Sequence, residues 1–210
     1  MKVIIYKKFE RFWHWSQALL MMAMLITGFE IHGTYTLVGF GTAVLWHEYC
    51  AFTLMTLWVF AIFWHFTTGE WRQYIPTTYK LSAVINYYSK GIFKGETHPF
   101  HPTAELKLNP LQRFTYLGWK LVMAPTVWIT GLLLLFYSEW ESLGLGFLSL
   151  GWIATLHVIS AFMILTFLIG HVYMTTTGET PTAHIKPCYV VMKSVSETIK
   201  LNNQINTPRM

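Results

Sequence analysis

Four stretches of the chain contain no Asp, Glu, Lys or Arg, and charged residues gather in the segments between them. These stretches are residues 12–29, 49–69, 121–138 and 142–178. A helix that crosses the hydrocarbon core of a membrane needs about 20 predominantly apolar residues. The pattern therefore predicts four transmembrane helices, near residues 12–31, 45–67, 115–137 and 151–175.

The basic residues give these predicted spans an orientation. All fifteen Lys and Arg residues precede the first span, lie between or at the ends of the second and third, or follow the fourth. Segments 32–44 and 138–150 carry none, and the second of these contains Glu139 and Glu141. Cytoplasmic loops of membrane proteins hold an excess of Lys and Arg. We therefore expect both termini and the loop 68–114 to be cytoplasmic.

The overall composition agrees with a membrane protein. Of the 210 residues, 53% are hydrophobic and only 12% are charged, which is half the roughly 25% typical of soluble domains. Such a composition also excludes a disordered chain. The formal net charge is +5, but the cations flank the apolar stretches, which favours a membrane over nucleic acid as the partner. The predicted fold is an all-α, integral membrane four-helix bundle, a single domain over residues 1–210.

The inner loop 68–114 contains a candidate amphipathic helix. Apolar residues recur there at helical spacing, opposite polar ones: Leu81, Val84, Ile85, Tyr88 and Ile92 against Lys80, Ser82, Asn86 and Lys90. This pattern predicts a helix that lies in the membrane interface. A loop helix that faces solvent explains the same pattern equally well, and the sequence leaves both interpretations open.

Five histidines lie in or at the predicted spans: His14, His47, His65, His157 and His171. Ionisable residues inside a membrane are costly and usually functional, although a hydrogen bond between helices is the structural alternative for any one of them. Outside the spans, His98 and His101 form an HxxH motif, which we interpret as part of a solvated loop because no further ligands accompany it.

His157 and His171 are spaced for two cofactors. They lie fourteen residues apart, which places them within about 40° of the same helix face and about 21 Å apart along the axis. That separation excludes a single metal site, whose ligands all lie about 2 Å from one ion. Two haem b groups, each held by two imidazoles, fit the spacing. The chain has no CxxCH motif, so attachment of a c-type haem is not expected.

Each haem needs a second histidine at matching depth. His47 lies at the outer end of the second span, as His157 does in the fourth. His14 and His65 both lie at the inner side with His171, and depth favours His14 only mildly. The pairs Thr27-Gly28 and Thr130-Gly131 supply small residues that let either a macrocycle or a neighbouring helix approach.

Four segments together resemble the four-helix dihaem cytochrome b subunits of bacterial respiratory complexes. That family includes the gamma subunit of formate dehydrogenase and the cytochrome b subunits of nickel-iron hydrogenase and thiosulfate reductase. The matching segments are residues 11–15 (RFWHW), 45–47 (LWH) and 106–113 (LKLNPLQR), with His157 and His171 in the fourth span. The resemblance extends over nearly the whole chain.

The resemblance implies that His47 and His157 bind the iron of an outer haem b, and that His14 and His171 bind that of an inner one. Asn109 matches a position beside the quinone pocket, although Leu111 stands where the formate dehydrogenase subunit has a glycine. Arg11 and other inner cations are candidates to pair with the propionates of the inner haem. The outer haem has no Lys or Arg nearby, which suggests a partner on that side.

The implied function is electron transfer in the bacterial inner membrane. One redox partner is a periplasmic iron–sulfur or multihaem subunit, which is attached to a catalytic subunit, and the other is menaquinone or ubiquinone. The complex as a whole is a candidate oligomer. Two alternatives use the same helices. One is a stand-alone transmembrane cytochrome b that oxidises superoxide or an ascorbate-type reductant, and the other is a haem-free anchor or transporter subunit.

Overall fold

The computed structural model describes residues 2–3, 6–100, 103, 106–176 and 193–194. His101 and most of the basic residues after the fourth predicted span lie outside this set. The regular secondary structure of the described part is helical, except for a pair of two-residue antiparallel strands, β1 (Lys2–Val3) and β2 (Lys193–Ser194), in which Lys2 lies opposite Ser194.

Six α-helices carry the fold. They are α1 (Lys8–Ile31), α2 (Phe40–Thr68), α3 (Leu81–Asn86), α4 (Pro110–Gly118), α5 (Ala124–Leu135) and α6 (Leu150–Thr176). Short 3-10 helices occur at Glu70–Tyr74, Ile92–Lys94 and Tyr137–Glu139, and π-helical turns occur at Tyr87–Gly91 and Trp119–Met123. The second π-helical turn joins α4 to α5, so that Pro110–Leu135 forms one continuous helix, called here the α4–α5 rod.

Three of these helical segments in the described residues are long and apolar enough to cross a membrane, namely α2, the α4–α5 rod and α6. The first predicted span is also a helix, and α1 has 24 residues. The mean hydropathy of α1 is lower than that of the other three segments, because α1 contains His14 and Gln17. This is a membrane protein with at least three apolar helices, and the role of α1 as a fourth span remains a prediction.

Three helices begin earlier than the membrane spans predicted within them. The helices start at Lys8, Phe40 and Pro110, whereas the predicted spans start near residues 12, 45 and 115. Hydrophobicity marks the part of a helix that can lie in lipid, but the backbone hydrogen bonds continue into the polar region until a cap ends them. Asn109 is such a cap, because its Oδ1 accepts from the Gln112 N–H at 2.8 Å and its own N–H donates to Gln112 Oε1 at 2.9 Å.

The long helices pack as two pairs, α1 against α2 and α5 against α6, and one apolar cluster joins the pairs. Its buried centre is Trp119, Ala124 and Ile164, and its rim includes Met21 and Leu25 from α1, Trp58 from α2 and Phe167 from α6. Trp58 also donates from Nε1 to Oε1 of Gln17 at 2.9 Å, so the one amide side chain in the middle of α1 is paired with α2.

A buried carboxylate holds the loop between α1 and α2. Glu30 is 5% exposed, and its Oε1 accepts from the backbone N–H groups of Leu37, Val38 and Gly39 at 2.7–2.8 Å. These three bonds satisfy the backbone donors of the loop residues Leu37 and Val38 and of Gly39, the N-cap of α2. The loop is therefore attached to the end of α1.

The segment from Leu81 to Lys94 is helical, as the sequence predicts. Of the predicted apolar face, Val84 is buried and Leu81, Tyr88 and Ile92 are half-buried, whereas Ile85 is 46% exposed. The predicted polar positions are exposed, and a π-helical turn occupies Tyr87–Gly91. A location in the membrane interface remains a prediction.

Candidate functional site

His47 of α2 faces His157 of α6. The two ring centroids are 6.3 Å apart and the ring planes are inclined by 70°. Both residues lie in the first three turns of their helices, and these turns lie at the same end of the molecule because α2 and α6 run parallel from that end. The structure thus brings together the two histidines that the sequence matched by depth.

His14 of α1 faces His171 of α6 in the same way. Their ring centroids are also 6.3 Å apart, with the planes inclined by 51°. The rings of Phe167 and His171 also stack, with their centroids 5.8 Å apart. Because His157 and His171 share α6, the two facing pairs lie about 21 Å apart along that helix.

His65, the alternative to His14, does not face His171. Its Nδ1 lies 2.6 Å from the Ala61 carbonyl oxygen and its Nε2 lies 3.2 Å from the Tyr74 hydroxyl. Both ring nitrogens therefore have partners within the chain. Burial raises the pKa of Tyr74, and nearby Tyr116 adds to this, so the phenol stays neutral and remains available for that hydrogen bond.

The distance within each pair suits two axial ligands of one iron. A metal binds an imidazole nitrogen at about 2 Å and the ring centre lies roughly 1 Å further, so two opposed imidazoles have centroids about 6 Å apart. The described residues hold no group of three or more His, Cys, Asp or Glu side chains that could bind a metal ion. A bare ion would lack ligands here, whereas a haem brings four nitrogens of its own and needs only two more.

The His47–His157 pair lies in a cavity that suits an apolar planar group. The cavity contains about 810 Å³ of empty space, its open mouth included. Its walls are mostly apolar and aromatic, and include Met21, Leu25, Trp58, Trp119, Trp128 and Ile164.

The two Thr-Gly pairs each receive one histidine of this cavity. A Cβ added at Gly28 would lie 3.2 Å from Cε1 of His47, and one added at Gly131 would lie 3.1 Å from Cε1 of His157. The sequence left open whether these glycines admit a macrocycle or a helix. In the structure the group that approaches each glycine is an imidazole ring.

Two buried polar atoms near the start of α1 have no hydrogen-bond partner among the described residues, Nε1 of Trp13 and Nδ1 of His14. A buried donor without a partner costs about 1–3 kcal/mol. Nδ1 of His14 belongs to the His14–His171 pair, whereas the Trp13 ring packs edge-on against His65, with ring centroids 5.2 Å apart. The ring separation of 6.3 Å at both pairs fits a haem group.

Sequence reasoning missed a buried ion-pair cluster, called here the Lys107 cluster, which contains Lys7, Glu10, Glu70 and Lys107. Lys107 is 5% exposed. Its Nζ lies 2.8 and 3.0 Å from the two carboxylate oxygens of Glu10 and 2.8 Å from Oε2 of Glu70, and Nζ of Lys7 lies 2.7 Å from Oε1 of Glu70. Burial by itself raises the pKa of Glu70, but the hydrogen bonds and charges of both lysines outweigh it and lower that pKa.

Asn109 is buried and has partners within the chain. Besides capping α4, its side chain makes a hydrogen bond with the Tyr88 hydroxyl, which also lies 3.1 Å from Nε2 of His98. Burial raises the pKa of Tyr88, and Tyr87 raises it further. His98 of the HxxH motif is thus half-buried and hydrogen-bonded within the loop, whereas the sequence predicted a solvated loop. A quinone role for Asn109 rests on the resemblance.

Comparison with known proteins gives two matches. The family model described as "Prokaryotic cytochrome b561" matches residues 5–186. The protein named "Putative cytochrome YdhU" from Escherichia coli (strain K12) is 34% identical over 188 residues, which are 86% of this chain and 70% of that protein. No solved structure matches the chain.

Proposed function

We propose, on the premise that the chain belongs to the prokaryotic cytochrome b561 family, that it is a dihaem subunit passing electrons between a periplasmic redox partner and the membrane quinone pool. Membership confirms the resemblance to bacterial membrane cytochromes b, and with it haem b binding and a role in electron transfer. The number of haems, their ligands, the quinone and the partner are the proposed part.

The observation that carries the proposal is the presence of two separate facing imidazole pairs. His47 and His157 would hold the outer haem through its iron, and His14 and His171 would hold the inner haem in the same way. Each pair has a ring separation of 6.3 Å. Because α1 supplies one ligand and packs along α2, we propose that α1 is the fourth membrane span of a four-helix bundle.

Haem b, when bound, supplies reversible one-electron transfer at a potential that its ligands and surroundings set. The chain contributes the imidazoles and an apolar wall that keeps water away from the irons. Trp58 and Trp119 line the cavity of the outer pair and belong to the apolar cluster between the two sites. That cluster lowers the local dielectric and holds the helices at a fixed distance.

The distribution of charge supports an orientation in the bacterial inner membrane with both termini cytoplasmic. Residues 32–44 and 138–150 contain no Lys or Arg. The surface nearest the outer haem consequently offers Glu139 and Glu141 but no cation for the propionates, so we propose that a periplasmic iron–sulfur or multihaem subunit covers it. A catalytic subunit completes the complex.

We propose that menaquinone or ubiquinone reacts beside the inner haem, near Asn109 and the segment 105–114. The support is the motif at 106–113 and its position: Lys107 of that segment contacts Glu10, which lies one helical turn before His14. The backbone amide and Oδ1 of Asn109 cap α4, so its proposed role is to hold the wall of the quinone site.

Haem quantitation tests the dihaem proposal. Purified protein is expected to contain two b-type haems per chain by pyridine haemochrome assay, with a dithionite-reduced minus oxidised spectrum typical of cytochrome b. His47→Ala and His157→Ala are each expected to remove one and the same component of a redox titration. His14→Ala and His171→Ala are expected to remove the other. Fewer than two haems in the parent protein would contradict the proposal.

Copurification tests the partner. Mild solubilisation of membranes that express the chain from its native locus is expected to retain large soluble subunits with it. A chain that purifies alone and reduces quinone directly from superoxide or ascorbate would instead support the stand-alone oxidoreductase.

A further inference from the structure

The two Thr-Gly pairs occupy equivalent places in the two helix pairs. Thr27-Gly28 of α1 contacts His47 of α2, the next helix along the chain. Thr130-Gly131 of α5 contacts His157 of α6, which is the next α-helix after α5. In each case the threonine Oγ1 lies 3.0 Å from the histidine Nδ1. Two independent parts of the sequence thus produce the same contact.

Each threonine hydroxyl already donates its proton in a hydrogen bond to a backbone carbonyl of its own helix. Oγ1 of Thr27 donates to the Ala23 carbonyl at 2.9 Å, and Oγ1 of Thr130 donates to the Thr126 carbonyl at 2.7 Å. A hydroxyl has one proton to donate and lone pairs with which to accept. Towards the histidine, each threonine therefore acts as an acceptor, and the histidine Nδ1 carries the proton.

The tautomer decides which ring nitrogen is able to bind a metal. With Nδ1 protonated in both rings, each Nε2 has a free lone pair, which is the form that binds a metal.

We infer that Thr27 and Thr130 are positioning residues that fix the tautomer and orientation of His47 and His157 as ligands of one iron, while Gly28 and Gly131 provide the space for the rings. This inference rests on the proposed function. A hydrogen bond from the non-ligating nitrogen makes a histidine a more basic ligand, which favours the oxidised iron. The two threonines therefore lower the midpoint potential of the haem that His47 and His157 bind.

The second pair differs in this respect. Nδ1 of His14 has no partner among the described residues. The hydrogen bond from histidine Nδ1 to a threonine hydroxyl is therefore present at His47 and His157 and absent at His14. A change in the threonines is therefore expected to affect one of the two haems selectively.

The test compares alanine with serine at the same positions, because these variants differ only in the hydroxyl group. Thr27→Ala and Thr130→Ala are each expected to shift to higher potential the redox component that His157→Ala removes, and to leave the other component in place. Thr27→Ser and Thr130→Ser are expected to keep the parent potential. Thr53→Ala is the matched control, since Thr53 makes the same bond to a carbonyl of its own helix, at 2.7 Å, but is exposed.

Three outcomes would overturn the inference: no shift in either alanine variant, an equal shift of both components, or serine variants that behave like alanine. Haem stoichiometry and low-temperature EPR of the oxidised protein are recorded on the same samples, so that haem loss is separated from a change in potential. If the parent protein lacks two haems, or if His157→Ala removes none, the proposed function itself fails and not only the role of the threonines.

Discussion

Replacing Lys107 with methionine tests whether the Lys107 cluster stabilises the packing of α1 and α2 against the segment before α4. Lys107 contacts Glu10 near the start of α1 and Glu70 just after α2. Methionine has nearly the length of the lysine stem and fills irregular gaps. The change therefore removes the charge and leaves little cavity.

The expected cost follows from the carboxylates that remain. Side chains of Glu10 and Glu70 are 11% and 13% exposed, and removing one partner of a buried ion pair costs about 3–5 kcal/mol. The lower end applies, because Glu70 keeps Nζ of Lys7 and Glu10 keeps the Lys7 backbone N–H at 2.6 Å. We expect a loss of about 3 kcal/mol in the free energy of unfolding, or about 140-fold in the equilibrium.

Thermal unfolding in one mild detergent, followed by tryptophan fluorescence, measures this loss. For a chain of this size the expected decrease in Tm is about 6–12 °C. Lys7→Met is the matched control: the Lys7 side chain is 52% exposed, and exposed ion pairs contribute no more than about 1 kcal/mol. The triple variant Lys107→Met, Glu10→Gln and Glu70→Gln is expected to recover at least half of the loss, because it removes the unpaired charges.

A Lys107→Met variant as stable as Lys7→Met would refute this reasoning, as would a triple variant with no recovery. The pH dependence gives a separate check. The pKa of Glu70 lies below its ordinary value of 4.5 in the folded protein. Its ion pairs therefore stabilise the fold above about pH 4.5, and this contribution is lost as pH falls through the folded pKa. The difference between parent and Lys107→Met is expected to shrink in that range.

Other predictions concern the proposed haem sites. Gly131→Ala places a Cβ 3.1 Å from Cε1 of His157, and the overpacking cost of about 1–3 kcal/mol is expected to reduce occupancy of one haem in the pyridine haemochrome assay. Gly118→Ala, with nothing within 4 Å of its added Cβ, is expected to keep full occupancy, and equal occupancy in the two variants would argue against the contact. His65→Ala is expected to keep both haems and to lower stability by about 1–3 kcal/mol, since it leaves Tyr74 without its buried partner; loss of a haem would restore His65 as a candidate ligand.

Several features that the sequence predictions missed depend on contacts between distant residues. A lysine in a polar loop is expected to face water, and Lys107 is buried only because Glu10 and Glu70 converge on it from other parts of the chain. The residue at which α4 starts could, in contrast, have been predicted from the sequence. Asn109 followed by Pro110 and Gln112 is a capping pattern, but the charge-free criterion does not detect caps.

The inner loop shows a different limit. Helical periodicity correctly predicted a helix from Leu81 onwards, but it did not predict the π-helical turn at Tyr87–Gly91. Backbone hydrogen-bond register of this kind depends on packing against neighbouring segments. A pattern that assumes 3.6 residues per turn does not include it.

The sequence by itself determined the helices, their apolar character and the placement of His157 and His171 on one face of α6, because hydrophobicity and helical period are properties of a local segment. Only the tertiary structure decided whether His14 or His65 faces His171. Depth in the sequence favours His14 only mildly, and the rotation and depth of α1 and α2 place His14 opposite His171 and His65 against Tyr74. Rotation and depth are set by side-chain packing between helices, and a single helix pattern does not contain that information.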